Sequence, residues 1–123
     1  MKKVIILSLL LTSCYTVERN CLDFKTGVFE FSTTISDSIV TSKFKRTNEF
    51  EIEMYNGIED SSSISWVNNC EFLITKINPR TNQEKRPIRI KILRTYGDQY
   101  DFEYSQVNSP QKISRGSVKR VSN

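Results

Sequence analysis

From Gly27 to near the C-terminus, apolar and polar residues alternate with period two, and nothing else in this 123-residue chain constrains its fold as strongly. Phe29 and Phe31 alternate with Val28, Glu30 and Ser32; Phe50, Ile52 and Met54 alternate with Glu49, Glu51 and Glu53. Ile64 and Trp66 stand between Ser63, Ser65 and Val67. Ile88, Ile90 and Ile92 alternate with Arg89, Lys91 and Leu93, and Tyr100, Phe102 and Tyr104 with Asp101 and Glu103. Successive side chains of a strand point to opposite faces, so each run carries one apolar and one wet face, as antiparallel strands do. No segment sustains a 3.6-residue repeat.

Turn formers separate the runs: Asn56-Gly57, Asn68-Asn69, Gly97-Asp98 and Asn108-Ser109-Pro110. The pattern predicts eight strands, at Gly27–Thr34, Ile39–Lys45, Glu49–Tyr55, Ser61–Val67, Cys70–Ile77, Ile88–Arg94, Tyr100–Gln106 and Lys112–Val121. Short connections make each strand the partner of its sequence neighbour. The one long connection, Asn78–Pro87, holds two prolines and polar residues. The expected fold is an all-β antiparallel meander closed into a small lipocalin-like barrel, with a two-sheet β-sandwich as the alternative. A three-residue loop Arg46-Thr47-Asn48 would set Lys45 opposite Glu49, Lys43 opposite Glu51 and Phe44 opposite Phe50. A similar register would set Arg89 and Lys91 across from Asp101 and Glu103. In that arrangement the glutamates of the third strand form a solvated ladder outside the barrel.

The first residues read differently. Met1-Lys2-Lys3 precede the apolar run Val4–Leu11, which is shorter than the roughly 20 residues a membrane-spanning helix needs. Such a run fits the core of a signal peptide. The motif Leu11-Thr12-Ser13-Cys14 resembles the lipobox of a bacterial lipoprotein. The expected organisation is a signal peptide at 1–13, a lipid on Cys14, a tether over 14–20 and one β domain over 21–123. Residues Tyr15-Thr16-Val17-Glu18 carry no aspartate next to Cys14 and no acidic run, which points to the outer membrane, at its periplasmic face or the cell surface. With Cys14 lipidated, Cys21 and Cys70 are left as a pair. In an oxidising compartment they would form a disulfide closing a loop of about 50 residues, worth roughly 4 kcal/mol in the chain-entropy view; two buried thiols are the alternative.

The chain carries 18 basic and 14 acidic residues, and Lys2 and Lys3 leave with the signal. The remaining balance is no nucleic-acid footprint. Basic residues gather at Arg80–Arg94 and Lys112–Arg120, as a solvated face or a contact with lipid headgroups or polysaccharide. There is no histidine, which removes the Ser-His-Asp triad, the Cys-His dyad and nearly every zinc enzyme site. No phosphate-binding loop and no CxxC pair occur, and Asp98 with Asp101 lack the oxygen count of a calcium site. The expectation is a protein without catalytic residues, metal or cofactor. Phe29, Phe31, Trp66, Tyr100, Phe102 and Tyr104, together with Phe72, would converge inside a barrel, as a packed core or as the lining of a pocket. A packed core is the ordinary outcome for a domain this small.

Three stretches, Cys21 through Phe31, Ile64 through Glu71 and Ile77-Asn78-Pro79-Arg80, resemble small lipoproteins of the Bacteroidetes (flavobacterial) type, whose function is not established. Some of those proteins are labelled type II DNA topoisomerases. This chain has no ATP-binding motif, no acidic cluster suited to DNA cleavage and no room for that architecture. The strand count is similar to lipocalins, with Gly27-Val28-Phe29 where that family has Gly-x-Trp. The resemblance describes a scaffold rather than a reaction; the function expected is a non-enzymatic, lipid-anchored envelope module that binds a protein or polysaccharide partner, with a lipocalin-like carrier of a small hydrophobic ligand as the alternative.

Overall fold

The computed structural model describes Val17 and residues 19–123, with the side chains of residues 33–35 left aside. The proposed signal segment 1–13, the lipid site Cys14 and most of the 14–20 tether lie outside the described residues.

A 3-10 turn, Cys21–Phe24, leads into eight strands: β1 Gly27–Ile35, β2 Ser38–Arg46, β3 Phe50–Tyr55, β4 Ile58–Asn68, β5 Glu71–Lys76, β6 Ile88–Tyr96, β7 Gln99–Gln106 and β8 Ser114–Ser122. Each pairs antiparallel with the next, and β1 pairs with β8, so the sheet closes into an up-and-down barrel. Closure leaves no sheet edge and excludes the sandwich. Among the described residues no helix is long and apolar enough to cross a membrane.

The two ends of the barrel differ. Where β1 begins, the 3-10 turn lies across the end and buries Phe24 and Cys21. The Phe24 ring meets Tyr100 edge-on, with centroids 5.1 Å apart. Cys21 is bonded to Cys70, on the turn between β4 and β5, across 49 residues of sequence. Arg120, near the end of β8, lays its guanidinium over the Phe24 ring at 4.7 Å and donates Nη1 to the Asp23 carbonyl at 2.7 Å. Asn20 N–H donates to Thr95 Oγ1 at 2.8 Å. The core sits at this plugged end and is built from Phe24, Phe29, Phe44, Ile92, Tyr100, Phe102 and Val118. At the other end the loops after β1, β3, β5 and β7 surround an open mouth, and residues 77–87 form its longest rim segment.

Gly116 shows why β8 has a weak apolar pattern. A Cβ there would come within 2.9 Å of the Phe31 ring and 3.0 Å of the Phe102 ring. The bare backbone lets those two rings, 6.0 Å apart, approach the barrel wall.

One strand is turned over relative to the expected register. The β2–β3 loop is Thr47-Asn48-Glu49, closed by Thr47 N–H to the Phe50 carbonyl at 2.8 Å. Arg46 therefore ends β2 opposite Glu51, Lys45 faces Ile52 and Phe44 faces Glu53. The offset from the expected pairing is an odd number of residues, and an odd slip exchanges the two faces of a strand. Glu51 and Glu53 point inward, while Phe50 and Met54 are exposed on the outside. On β6 and β7, Lys91 does face Glu103, but a bulge between Ile92 and Arg94 shifts the rest. Asp101 is paired with Arg94 and Arg89 with Glu71, at 3.1 and 2.7 Å.

Candidate functional site

The barrel is packed only in its plugged half. Above that layer lies a cavity of about 610 Å³ opening at the mouth. Core packing normally leaves no void much larger than a water molecule, so the filled interior expected from chain size does not hold here. The volume falls within the range of small-molecule sites.

The cavity has an apolar waist formed by Phe31, Phe44, Ile74, Ile90 and Phe102, one residue from each of five strands. Alternation along the strands puts them there, since each is an inward position. The rim is polar. Lys76, at the end of β5, holds Asp60 at 2.9 Å and Glu84 at 3.0 Å, tying the 77–87 segment to the wall. Glu84 also accepts from Arg80 N–H at 2.7 Å. The Arg80 amide and Lys76 hold its carboxyl below the ordinary range, while the hydrogen bonds to Asp60 and then to Glu84 lift Lys76 above its own.

The floor is ionic. Arg46 is buried with its guanidinium 4.8 Å from both the Phe29 and Phe72 rings. Its Nε donates to Glu51 Oε2 at 3.2 Å, Nη1 to the Phe24 carbonyl at 2.8 Å and Nη2 to the Tyr100 hydroxyl at 2.8 Å. A buried cation needs this degree of pairing, because desolvation of an unpaired charge costs several kcal/mol, on the order of what the whole domain has to spare. Burial raises the Glu51 carboxyl above its ordinary value, with Arg46 pulling the other way. Burial likewise raises the Tyr100 hydroxyl.

Of the aromatic residues singled out from sequence, Phe31, Tyr100, Phe102 and Tyr104 line the cavity. Phe29 does not, because the Arg46 guanidinium lies over its ring and Tyr100 packs beside it. Trp66 does not line it either. It sits half-buried against Phe72 at 4.7 Å, under the Lys25 ammonium at 4.8 Å. Sequence reasoning missed Arg46, Glu51 and Glu53. In the register expected from the pattern, Arg46 falls in the β2–β3 loop and the glutamates form a wet ladder. The one available signal was that Phe44 and Arg46 share a face of β2.

Asp101 accepts from Ser117 Oγ at 2.6 Å, Tyr96 at 2.9 Å and Arg94 at 3.1 Å, joining β6, β7 and β8 on the outside of the barrel. Among the described residues no three His, Cys, Asp or Glu side chains are grouped to hold a metal ion.

The fold and its interior define a small up-and-down β-barrel with an internal cavity, open at one end and plugged at the other. No family model matches this chain, and neither a curated protein nor a solved structure does.

Proposed function

We propose that this chain is a non-enzymatic binding protein of the bacterial cell envelope, anchored by a lipid on Cys14, whose barrel carries one small molecule with an apolar body. The observation that supports it is the 610 Å³ cavity itself, left open in a domain that needs its large apolar residues for stability. An eight-stranded barrel is wide enough for one such ligand. The anchor rests on the Leu11-Thr12-Ser13-Cys14 motif, and the outer-membrane location on the residues that follow it.

Titration with N-phenyl-1-naphthylamine, an uncharged fluorescent probe, tests the carrier reading. The wild type is expected to saturate at one site, and Ile74→Trp, which fills the waist, to abolish that site. Absent saturation, or equal binding by the variant, would remove the carrier reading. Cys14→Ser tests the anchor: the protein is expected to leave the membrane fraction or to stay unprocessed.

A second reading, docking to an envelope partner, has support from the outward stripe of Phe50, Ile52 and Met54, with Phe50 45% and Met54 43% exposed. It predicts that Phe50→Lys with Met54→Lys abolishes specific crosslinks in intact envelopes while probe uptake persists.

A further inference from the structure

We infer that the outer wall of β3 is a self-association surface, on which a second copy of this chain docks about a two-fold axis running along the strand. This deepens the docking reading and rests on it.

Among the described residues no other strand turns three successive apolar side chains outward. Phe50, Ile52 and Met54 do so over about 14 Å of β3. Their neighbours on the same outer face differ in charge between the two sides. On β2, Lys43 lies beside Met54 and Lys45 beside Ile52. On β4, Glu59 lies beside Met54, Ser61 beside Ile52 and Ser63 beside Phe50. The apolar ridge therefore runs between a basic strand and one that offers a carboxylate and small hydroxyls. Lys45 and Glu59 have no ion-pair partner among the described residues. Lys43 meets Glu30 only at 3.6 Å, with its own side chain 55% exposed. So exposed a pair contributes little and leaves Lys43 able to turn to a second carboxylate.

A surface that contacts its own copy must be self-complementary under a two-fold rotation. The charges select the axis. An axis lying across β3 at Ile52 would set β2 on β2, with Lys45 against Lys45 and Glu59 against Ser63. An axis along β3 exchanges the two sides at equal height instead. Phe50, Ile52 and Met54 then meet their own counterparts, and Lys43 of each copy faces Glu59 of the other, so the ion pair forms twice. Packed sheets lie about 10 Å apart, a gap that lysine and glutamate side chains span together. Rotation about an axis keeps direction along it. Both plugged ends, where the proposed tether joins Cys21, therefore point the same way, as two copies anchored in one membrane require. Only the outer wall is used, so both cavity mouths stay open. The contact engages fewer than the roughly 20–30 residues a side of a standard interface, so the dimer is weak in free solution and is populated where an anchor concentrates both copies on one surface.

The test is oxidative crosslinking of the full chain in intact envelopes. Met54→Cys places a thiol beside the axis, where it meets its own counterpart, and is expected to give a disulfide-linked homodimer. Lys119→Cys, on β8 three strands round the barrel, is expected to give none. Adding Lys43→Glu to Met54→Cys sets like charges together twice and should cut the homodimer yield about tenfold. Adding Glu59→Lys as well re-forms both pairs with their signs exchanged and should restore it. Equal yield from Lys119→Cys, or no recovery in the double reversal, would overturn self-association. A crosslink from Met54→Cys to a different protein alone would overturn it and leave the docking reading standing. No crosslinked product of any kind would overturn both.

Discussion

Arg46 and Glu51 face each other across the β2–β3 pair inside the barrel, with Nε to Oε2 at 3.2 Å. The pair divides the interior into a sealed aromatic layer below and an open cavity above. The same guanidinium holds the plug, through the Phe24 carbonyl, and β7, through the Tyr100 hydroxyl. One side chain therefore joins the cavity floor to the closure of the barrel end.

Removing one member of such a pair strands the other. Arg46→Met is expected to destabilise the domain by about 3–5 kcal/mol, and Tyr100→Phe, which removes one acceptor, by about 1–3 kcal/mol in urea unfolding. The Arg46→Met deficit carries a pH signature. Burial already raises the Glu51 carboxyl, and without its cation the folded-state value rises further. A group raised on folding favours the folded state most below its unfolded value, and that advantage fades as pH rises through the folded one. The deficit should therefore shrink as pH falls into the ordinary carboxylate range.

Asp101 has the opposite sign. Its partial burial works against ionisation, but Ser117, Tyr96 and Arg94 together hold its carboxyl below the ordinary value of 3.8. A group lowered on folding contributes stability above its unfolded value and loses it as pH falls through the folded one. Thermal melting of Asp101→Asn should show a lower Tm than wild type at pH 7. The gap should close as pH drops below 3.8.

Gly116→Ala sets a methyl against the Phe31 and Phe102 rings at distances real side chains avoid. Those rings border open space, so they can yield into the cavity. Stability is expected to change by less than about 1 kcal/mol, below the usual range for overpacking. Probe affinity should fall, because the rings give way into the volume a ligand would fill. A large stability loss with unchanged probe binding would show that the rings cannot move inward.

The Cys21–Cys70 bond closes a loop across 49 residues and fixes the plug to the β4–β5 turn. Replacing both cysteines with serine is expected to cost about 2–4 kcal/mol in denaturant unfolding. Amide exchange at Leu22, Asp23 and Phe24 should rise more than exchange in the strands, because this bond anchors the first residues of the turn.

The alternation of Phe29 with Phe31, of Ile88, Ile90 and Ile92, and of Tyr100, Phe102 and Tyr104 determined the strands, their inward faces and the neighbour-to-neighbour meander. Asn56-Gly57 and Gly97-Asp98 marked the turns between them. These are local properties, carried by side-chain period and by backbone preferences of a few residues. Lys91 opposite Glu103 is not among them: the Tyr96–Gln99 pairing at the turn alone would set Lys91 opposite Tyr104, and the bulge between Ile92 and Arg94 shifts it by one.

The face of β3 could not be read that way. Its Phe-Glu-Ile-Glu-Met pattern is equally regular in both orientations, and the apolar set faces outward. What decides the matter is non-local: Arg46 needs Glu51, Tyr100 and the Phe24 carbonyl at once, and they come from three distant parts of the chain. The cavity is likewise a property of closure. Alternation says which residues point inward, but whether they meet depends on the circumference that eight strands impose and on how far side chains reach across it. Here the aromatics meet at the plugged end and fall short of one another toward the mouth, and that geometry belongs to the tertiary structure alone.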